Sequence, residues 1–186
     1  DEPMANVTYD KNCLTVLDHS LIGHKMTILR DESTAPAHFR KLVHELAALE
    51  AYEATRDLPT MQVQVKTPIC ETEGVRLKDD TLAVVPILRA GMGMLEGVLS
   101  VVPSAAVGVL GMERDEETHE PHSYYAKMPQ GIENRMVLVI DPMLATGGSA
   151  LAAIKYLREA GVKDIRLLVM VAAPEGVAAV NAAEPD

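Results

Sequence analysis

Four near-continuous apolar runs dominate the second half of the chain: "TLAVVPIL" (81–88), "AAVGVLGM" (105–112), "MVLVID" (136–141) and "IRLLVMVAA" (165–173). Runs without alternation mark strands buried on both faces. Between them lie "GMLEGVLSVV" (93–102), "GSALAAIKYLREAG" (148–161) and "PEGVAAVNAA" (174–183), which have helical texture. Strand alternating with helix predicts an α/β fold, a parallel sheet flanked by helices on both faces. Ligands of such sheets bind outside the carboxyl ends of the strands.

The first half reads differently. Residues 35–56 place Phe39, Leu42, Val43, Leu46, Leu49 and Tyr52 at steps of three and four, with Pro36 suited to a first turn, and predict an amphipathic helix. In "MQVQVKTPI" (61–69), Met61, Val63 and Val65 alternate with Gln62, Gln64 and Lys66, which predicts a half-exposed edge or accessory strand. The opening "DEPMANVTYDKN" has no period, so residues 1–16 are expected as an N-terminal arm and 17–186 as one domain. Residues 111–135 are long, polar and aperiodic between two core strands. Such a segment predicts a functional flap, with "YYAKMP" as one arm of a hairpin.

Composition narrows the function. With 27 acidic against 17 basic residues and a net charge of −10, the chain is poorly suited to nucleic acid or an anionic membrane, which call for clustered Lys and Arg. Aromatics are 3% and Trp is absent, so the core has to be aliphatic, and the 10 Met read as adaptable core. Cys13 and Cys70 fit no metal or redox spacing, and no segment has the character of a signal peptide or membrane span. A reducing cytoplasm is the expected location.

Chemistry concentrates at "DPMLATGGSA" (141–150). The run before it delivers Asp141 to a strand's carboxyl end, and Gly147 and Gly148 let the backbone curl before a helix beginning near Ser149. Free backbone N–H groups and a helix N-terminus then converge on one small volume, an arrangement that holds phosphate. Thr146 and Ser149 add hydroxyls, while Asp141 suits a sugar hydroxyl or Mg²⁺. Taken alone, this reading stands level with a plain strand-to-helix turn capped by Ser149. A second glycine-rich turn, "PILRAGMG" (86–93), tips the balance. It ends another apolar run and carries Arg89, and two such turns on neighbouring strand ends can hold a monophosphate and a pyrophosphate.

These residues resemble a known family. "VLVIDPMLATGGSA" is similar to the phosphoribosyl diphosphate (PRPP) signature of the type I phosphoribosyltransferases, in the form seen in the uracil-specific subfamily. "HKMTILRD", "EAYEATRDL", "VVPILRAGMGMLEGVL", "RDEET", "YYAKMP" and "VAAPEGVAAV" follow the same family in order. The resemblance implies transfer of phosphoribose from PRPP to uracil, giving UMP and pyrophosphate in pyrimidine salvage. It further implies that Thr146, Gly147, Gly148 and Ser149 hold the 5′-phosphate, that Pro142, Met143, Leu144 and Ala145 complete that PRPP-binding loop, and that Asp141 faces the ribose. Arg89 would meet the pyrophosphate, with Arg114 as a second cation at the flap. Arg89 and Asp141 are the expected catalytic pair. A nonproline cis peptide is expected within 88–91.

Mg²⁺ is expected as cofactor, bound mainly through PRPP rather than by protein ligands. A homo-oligomer, dimer or tetramer, and GTP as an activator are further expectations from the family, with no nucleic acid or membrane partner. Family members continue past the position of Asp186 with a segment resembling "GLGDAGD" that reads uracil, so the base-reading residues are expected outside 17–186. The alternatives are a noncatalytic PRPP-binding regulator on the same fold and an enzyme for another nucleobase. His119 and His122 read as a solvated H-x-x-H without a third ligand, and Tyr124 and Tyr125 read equally as substrate cover or hairpin packing.

Overall fold

A computed structural model describes residues 14–114 and 121–185, the side chains of Arg114 and Pro121 excepted. The chain runs α1 (Ser20–Leu29), α2 (Pro36–Ala54), β1 (Thr60–Lys66), β2 (Glu71–Leu77), β3 (Leu82–Leu88), α3 (Met92–Val101), β4 (Ala106–Val107) and β5 (Val109–Arg114). There follow β6 (Pro121–Lys127), a 3₁₀ turn (Ile132–Asn134), β7 (Met136–Ile140), β8 (Met143–Leu144), α4 (Gly148–Glu159), β9 (Ile165–Leu168), β10 (Val171–Ala172) and α5 (Pro174–Ala183).

The main sheet has the order β6-β5-β3-β7-β9, with β4 also on β3. The pairs β3–β5, β3–β7 and β7–β9 are parallel, and β6 joins the edge antiparallel to β5. The apolar runs of β3 and β7 prove to be two interleaved faces. Leu82, Val84, Met136, Leu138 and Ile140 pack toward Val43, Ala47, Met94 and Val98 of α2 and α3. Ala83, Val85, Ile87, Val137 and Val139 pack toward Ala153 and Leu157 of α4.

Two sequence runs break where chemistry demands it. "AAVGVLGM" divides into β4 and β5 at Gly108, which lies opposite Val85 and one position before the partner of Pro86. A proline inside a sheet has no N–H to offer the ladder, and the neighbouring strand is interrupted beside it. "IRLLVMVAA" divides into β9 and β10 because the chain leaves the sheet after Leu168: Val171 and Ala172 pair with Met143 and Leu144 of β8 instead.

Helix α1 was not foreseen, and none of its residues is buried. It is capped by His19, whose Nδ1 accepts from the Leu21 N–H at 3.1 Å, and tied to α2 by the Lys25–Glu45 ion pair. The expected accessory strand pairs with β2 alone, as a separate antiparallel ribbon. The flap is a β5–β6 hairpin containing "YYAK", and 115–120 with His119 lie outside the described residues.

Candidate functional site

The site forms where β3 and β7 end side by side. From β3 the chain turns into α3 on one face of the sheet, and from β7 it turns into α4 on the other. Connections that leave adjacent parallel strands in opposite directions open a crevice at their carboxyl ends. Residues 88–91 and 141–148 border that crevice, so topology brings the two glycine-rich turns together.

Their contact is close. A methyl at Gly91 would lie 2.4 Å from the Ile140 carbonyl oxygen and 2.8 Å from the Ile87 backbone, so only glycine fits where the first turn abuts the end of β7. The peptide bond between Leu88 and Arg89 is cis, within the expected 88–91. Gly91 N–H donates to the Ile87 carbonyl at 2.9 Å and closes the turn. The Arg89 side chain is exposed and makes no ion pair or hydrogen bond among the described residues, while its backbone carbonyl accepts from the Met92 N–H at 3.2 Å. A surface ion pair, the ordinary explanation for an arginine here, is therefore not formed among those residues.

The second turn folds around a hollow of about 80 Å³ bordered by Asp141, Met143 to Ala150, Leu167 and Val169. Gly147 takes φ 91°, the left-handed region that glycine enters without a steric penalty, and is the N-cap of α4. The first amides of α4 have no intrahelical acceptor and lie at the positive end of the helix dipole, which suits an anion. Asp141, half-buried at the rim, is the one ionisable residue bordering the hollow among the described residues. Burial pushes its carboxyl up to about 6, opposed by a hydrogen bond from the Met143 backbone.

All the residues expected in 141–149 thus share one loop, and Arg89 sits on the adjoining turn. Arg114 ends β5 opposite Pro121, and its side chain lies outside the described residues. Tyr124 packs within the hairpin, its ring covering Gly111 so closely that a methyl there would lie 2.6 Å from the ring. His122 pairs with Glu113 at 3.0 Å, and no group of three His, Cys, Asp or Glu among the described residues can hold a metal.

Sequence reasoning missed the support behind the loop. Met170 and Val171 N–H groups both donate to the Pro142 carbonyl, at 3.1 and 3.2 Å, and Ala173 N–H donates to the Leu144 carbonyl at 2.8 Å. The available signal was Gly176, a glycine inside a helical pattern, which marks close backbone approach. A larger hollow of about 760 Å³ lies at the opposite, amino-terminal strand ends, beside Thr81, Met136 and Asp164. Its Arg166 is already held by both Asp57 oxygens at 2.6 and 2.9 Å, and anion ligands of parallel sheets favour the other end.

The family model for uracil phosphoribosyltransferase matches residues 16–186. The chain belongs to that family. A uracil phosphoribosyltransferase of Lactobacillus gasseri is 55% identical over 172 residues, which cover 92% of this chain and 82% of that protein. The one from Lacticaseibacillus paracasei is 53% identical with the same coverage. Among solved structures, a protein of Aquifex aeolicus superposes with a TM-score of 0.85 at 37% identity, covering 92% of this chain and 82% of its own. A purine phosphoribosyltransferase of Pyrococcus horikoshii, at 13% identity and a TM-score of 0.50 over 69% of this chain and 72% of its own, shares the fold.

Proposed function

We propose that this member of the family transfers the phosphoribosyl group of PRPP to uracil, releasing UMP and pyrophosphate in pyrimidine salvage. The observation that carries the reading is the abutment of the first anion-suited turn on the strand end from which the second begins, with Gly91 against Ile140. A sugar bearing phosphates at both ends needs two anion sites one ribose apart, and adjacent strand ends supply that arrangement.

In the reaction a bond forms between uracil N1 and ribose C1 as the bond from C1 to the pyrophosphate oxygen breaks, and N1 gives up its proton. Positive charge develops on the ribose and negative charge on the leaving oxygen. Positioning and preorganised charge are therefore the main catalytic resources. Thr146 to Ser149 anchor the 5′-phosphate through backbone N–H groups and the hydroxyls of Thr146 and Ser149, and residues 142–145 complete the loop. Arg89 meets the pyrophosphate as it departs, and Arg114 adds a second cation from the flap. Asp141 accepts from ribose hydroxyls and stands close to the developing positive charge. The β5–β6 hairpin shields the reacting carbon from water, which would otherwise hydrolyse PRPP.

Mg²⁺ fits this donor set as a substrate-borne ion, because Asp141 is the single carboxylate bordering the hollow among the described residues and Mg²⁺ is commonly held by one or two carboxylates plus phosphates. When bound, it supplies neutralisation of the leaving pyrophosphate. GTP activation is proposed on the family resemblance and is read from initial rates across a GTP titration. Assembly with further copies is supported by the ribbon's exposed apolar residues. No helix among the described residues is long and apolar enough to cross a membrane, and a cytoplasmic location is the proposal that accompanies the activity.

The deciding experiment measures pyrophosphate release from PRPP and Mg²⁺ with uracil, cytosine, adenine or hypoxanthine, using the full gene product. Release with uracil alone is expected. Release with another base and not uracil would reassign the substrate, and PRPP binding without turnover on any base would make the protein a regulator.

A further inference from the structure

Helix α5 carries a buried glycine, Gly176, in its first turn. Alanine is the better helix former at such a position, so the glycine has to be explained by space. A methyl there would stand 2.4 Å from the Ala145 carbonyl oxygen and 3.0 Å from Leu144 Cγ. The nearest obstacle is backbone, which cannot swing aside as a side chain can. The reciprocal contact is just as direct: a methyl at Gly147 would lie 3.3 Å from the Gly176 carbonyl oxygen, 3.4 Å from Ala179 Cβ and 3.6 Å from Val180 Cγ2.

The loop 142–147 therefore has two sides. In front lies the hollow of about 80 Å³, and behind lies the segment from Met170 to Val180. Hydrogen bonds at Pro142 and Leu144, together with the β8–β10 pairing, fasten the beginning of the loop to that segment. Ala145, beyond those bonds, is held by direct contact with Gly176. A methyl at Gly176 would press on the Ala145 carbonyl, in the same loop that borders the hollow.

We infer that Gly176 is a positioning residue for PRPP: its bare Cα seats α5 directly against residues 144–147 and sets the shape of the phosphate cradle from behind. It touches no substrate. The inference rests on the reading of 141–149 as the phosphate site, so the test carries a control for that reading.

Gly176→Ala and Thr146→Val are compared with the wild type in the full gene product. The measurements are PRPP affinity by calorimetry, the separate KM values for PRPP and uracil, and thermal melting. Gly176→Ala is expected to melt as a folded protein while its PRPP Kd and KM rise about tenfold or more, since a 1 Å misplacement near a reacting group can cost about 100-fold. Its uracil KM at saturating PRPP stays unchanged. Wild-type PRPP affinity in Gly176→Ala, with weakened affinity in Thr146→Val, overturns the Gly176 inference alone. Unchanged affinity in both overturns the phosphate reading as well. A fall in kcat with both KM values unchanged also counts against a positioning role. Should Gly176→Ala fail to fold, Val180→Ala loosens the same support at Gly147 without crowding it. A PRPP KM raised about threefold or more with uracil KM unchanged sustains the inference, and an unchanged PRPP KM overturns it.

Discussion

Arg89 is the residue on which the proposed chemistry leans most. Its side chain is exposed, makes no hydrogen bond or ion pair among the described residues, and stands on a turn whose backbone is locked against β7 through Gly91. Arg89→Ala should lower kcat/KM about 100- to 1000-fold, the scale for losing one preorganised donor at a developing oxyanion. The melting temperature should be unchanged, because an exposed side chain without partners contributes little to stability. Near-normal pyrophosphate release from this variant would remove Arg89 from the mechanism. Asp141 makes the opposite demand, since burial lifts its carboxyl from 3.8 to about 6 and the folded state is penalised for ionising it. Between those values the folded protein keeps a proton that the unfolded chain has released, so stability falls as pH rises through the window. Asp141→Asn keeps an acceptor for the Met143 N–H and should melt higher than wild type at pH 8, with the gap closing by about pH 4. A gap that persists unchanged across that range would show that ionisation is not its origin.

At the scale of elements, β3, β7 and the glycine-rich loop were legible because each satisfies one rule strongly. Apolar residues fill both faces of the strands, and glycines sit where a left-handed turn or a close approach needs them. Helix α2 was legible in its extent and in the middle of its face, where Leu42, Val43 and Leu46 are buried as the pattern placed them. The pattern of bulky residues pointed to Phe39, Leu49 and Tyr52, yet Phe39 and Tyr52 are exposed, while Ala47 and Ala51 are fully buried. The cause is Gly97 of α3, where a methyl would lie 2.2 Å from the His44 carbonyl oxygen and 2.9 Å from Ala47 Cβ. Two helices that approach this closely select small residues for the contact, and hydrophobic periodicity by size cannot register that. Helix α2 also carries Glu50 inward. One of its oxygens has no hydrogen-bond partner among the described residues, and burial pushes its carboxyl up to about 7. With the folded value raised above the unfolded 4.5, stability falls as pH climbs from about 4.5 to about 7 and stays reduced above it. Glu50→Gln should raise the melting temperature at pH 8 and leave it unchanged at pH 4, with PRPP affinity unaffected at either. A gain of equal size at both pH values would place the effect in packing instead of charge.

At the scale of the whole molecule, the β1–β2 ribbon stands apart because it pairs with no other strand of the described chain. An isolated two-stranded ribbon is marginal in water and needs cover on a hydrophobic face. This ribbon is apolar on both faces. Met61, Val63 and Val65 share one side, and the register Gln62↔Val75 and Thr60↔Leu77 puts Val75 and Leu77 on the other. Whichever side the body of the protein shelters, the opposite side remains uncovered, and Val75 is 62% and Leu77 41% exposed. At the tip of the ribbon Ile69 is 95% exposed. Period-two alternation revealed the strand but not its isolation, since a partnered edge and a free ribbon alternate alike. Exposed apolar residues concentrated on one projecting element mark a surface that another protein covers. The proposed homo-oligomer makes that protein a second copy of this chain. Val75→Glu combined with Leu77→Lys should then shift sedimentation velocity from the assembled species to the monomer at micromolar concentration, while circular dichroism keeps the α/β spectrum. A wild type that sediments as a monomer would refute the assembly, and a variant that retains the wild-type mass would move the interface away from the ribbon.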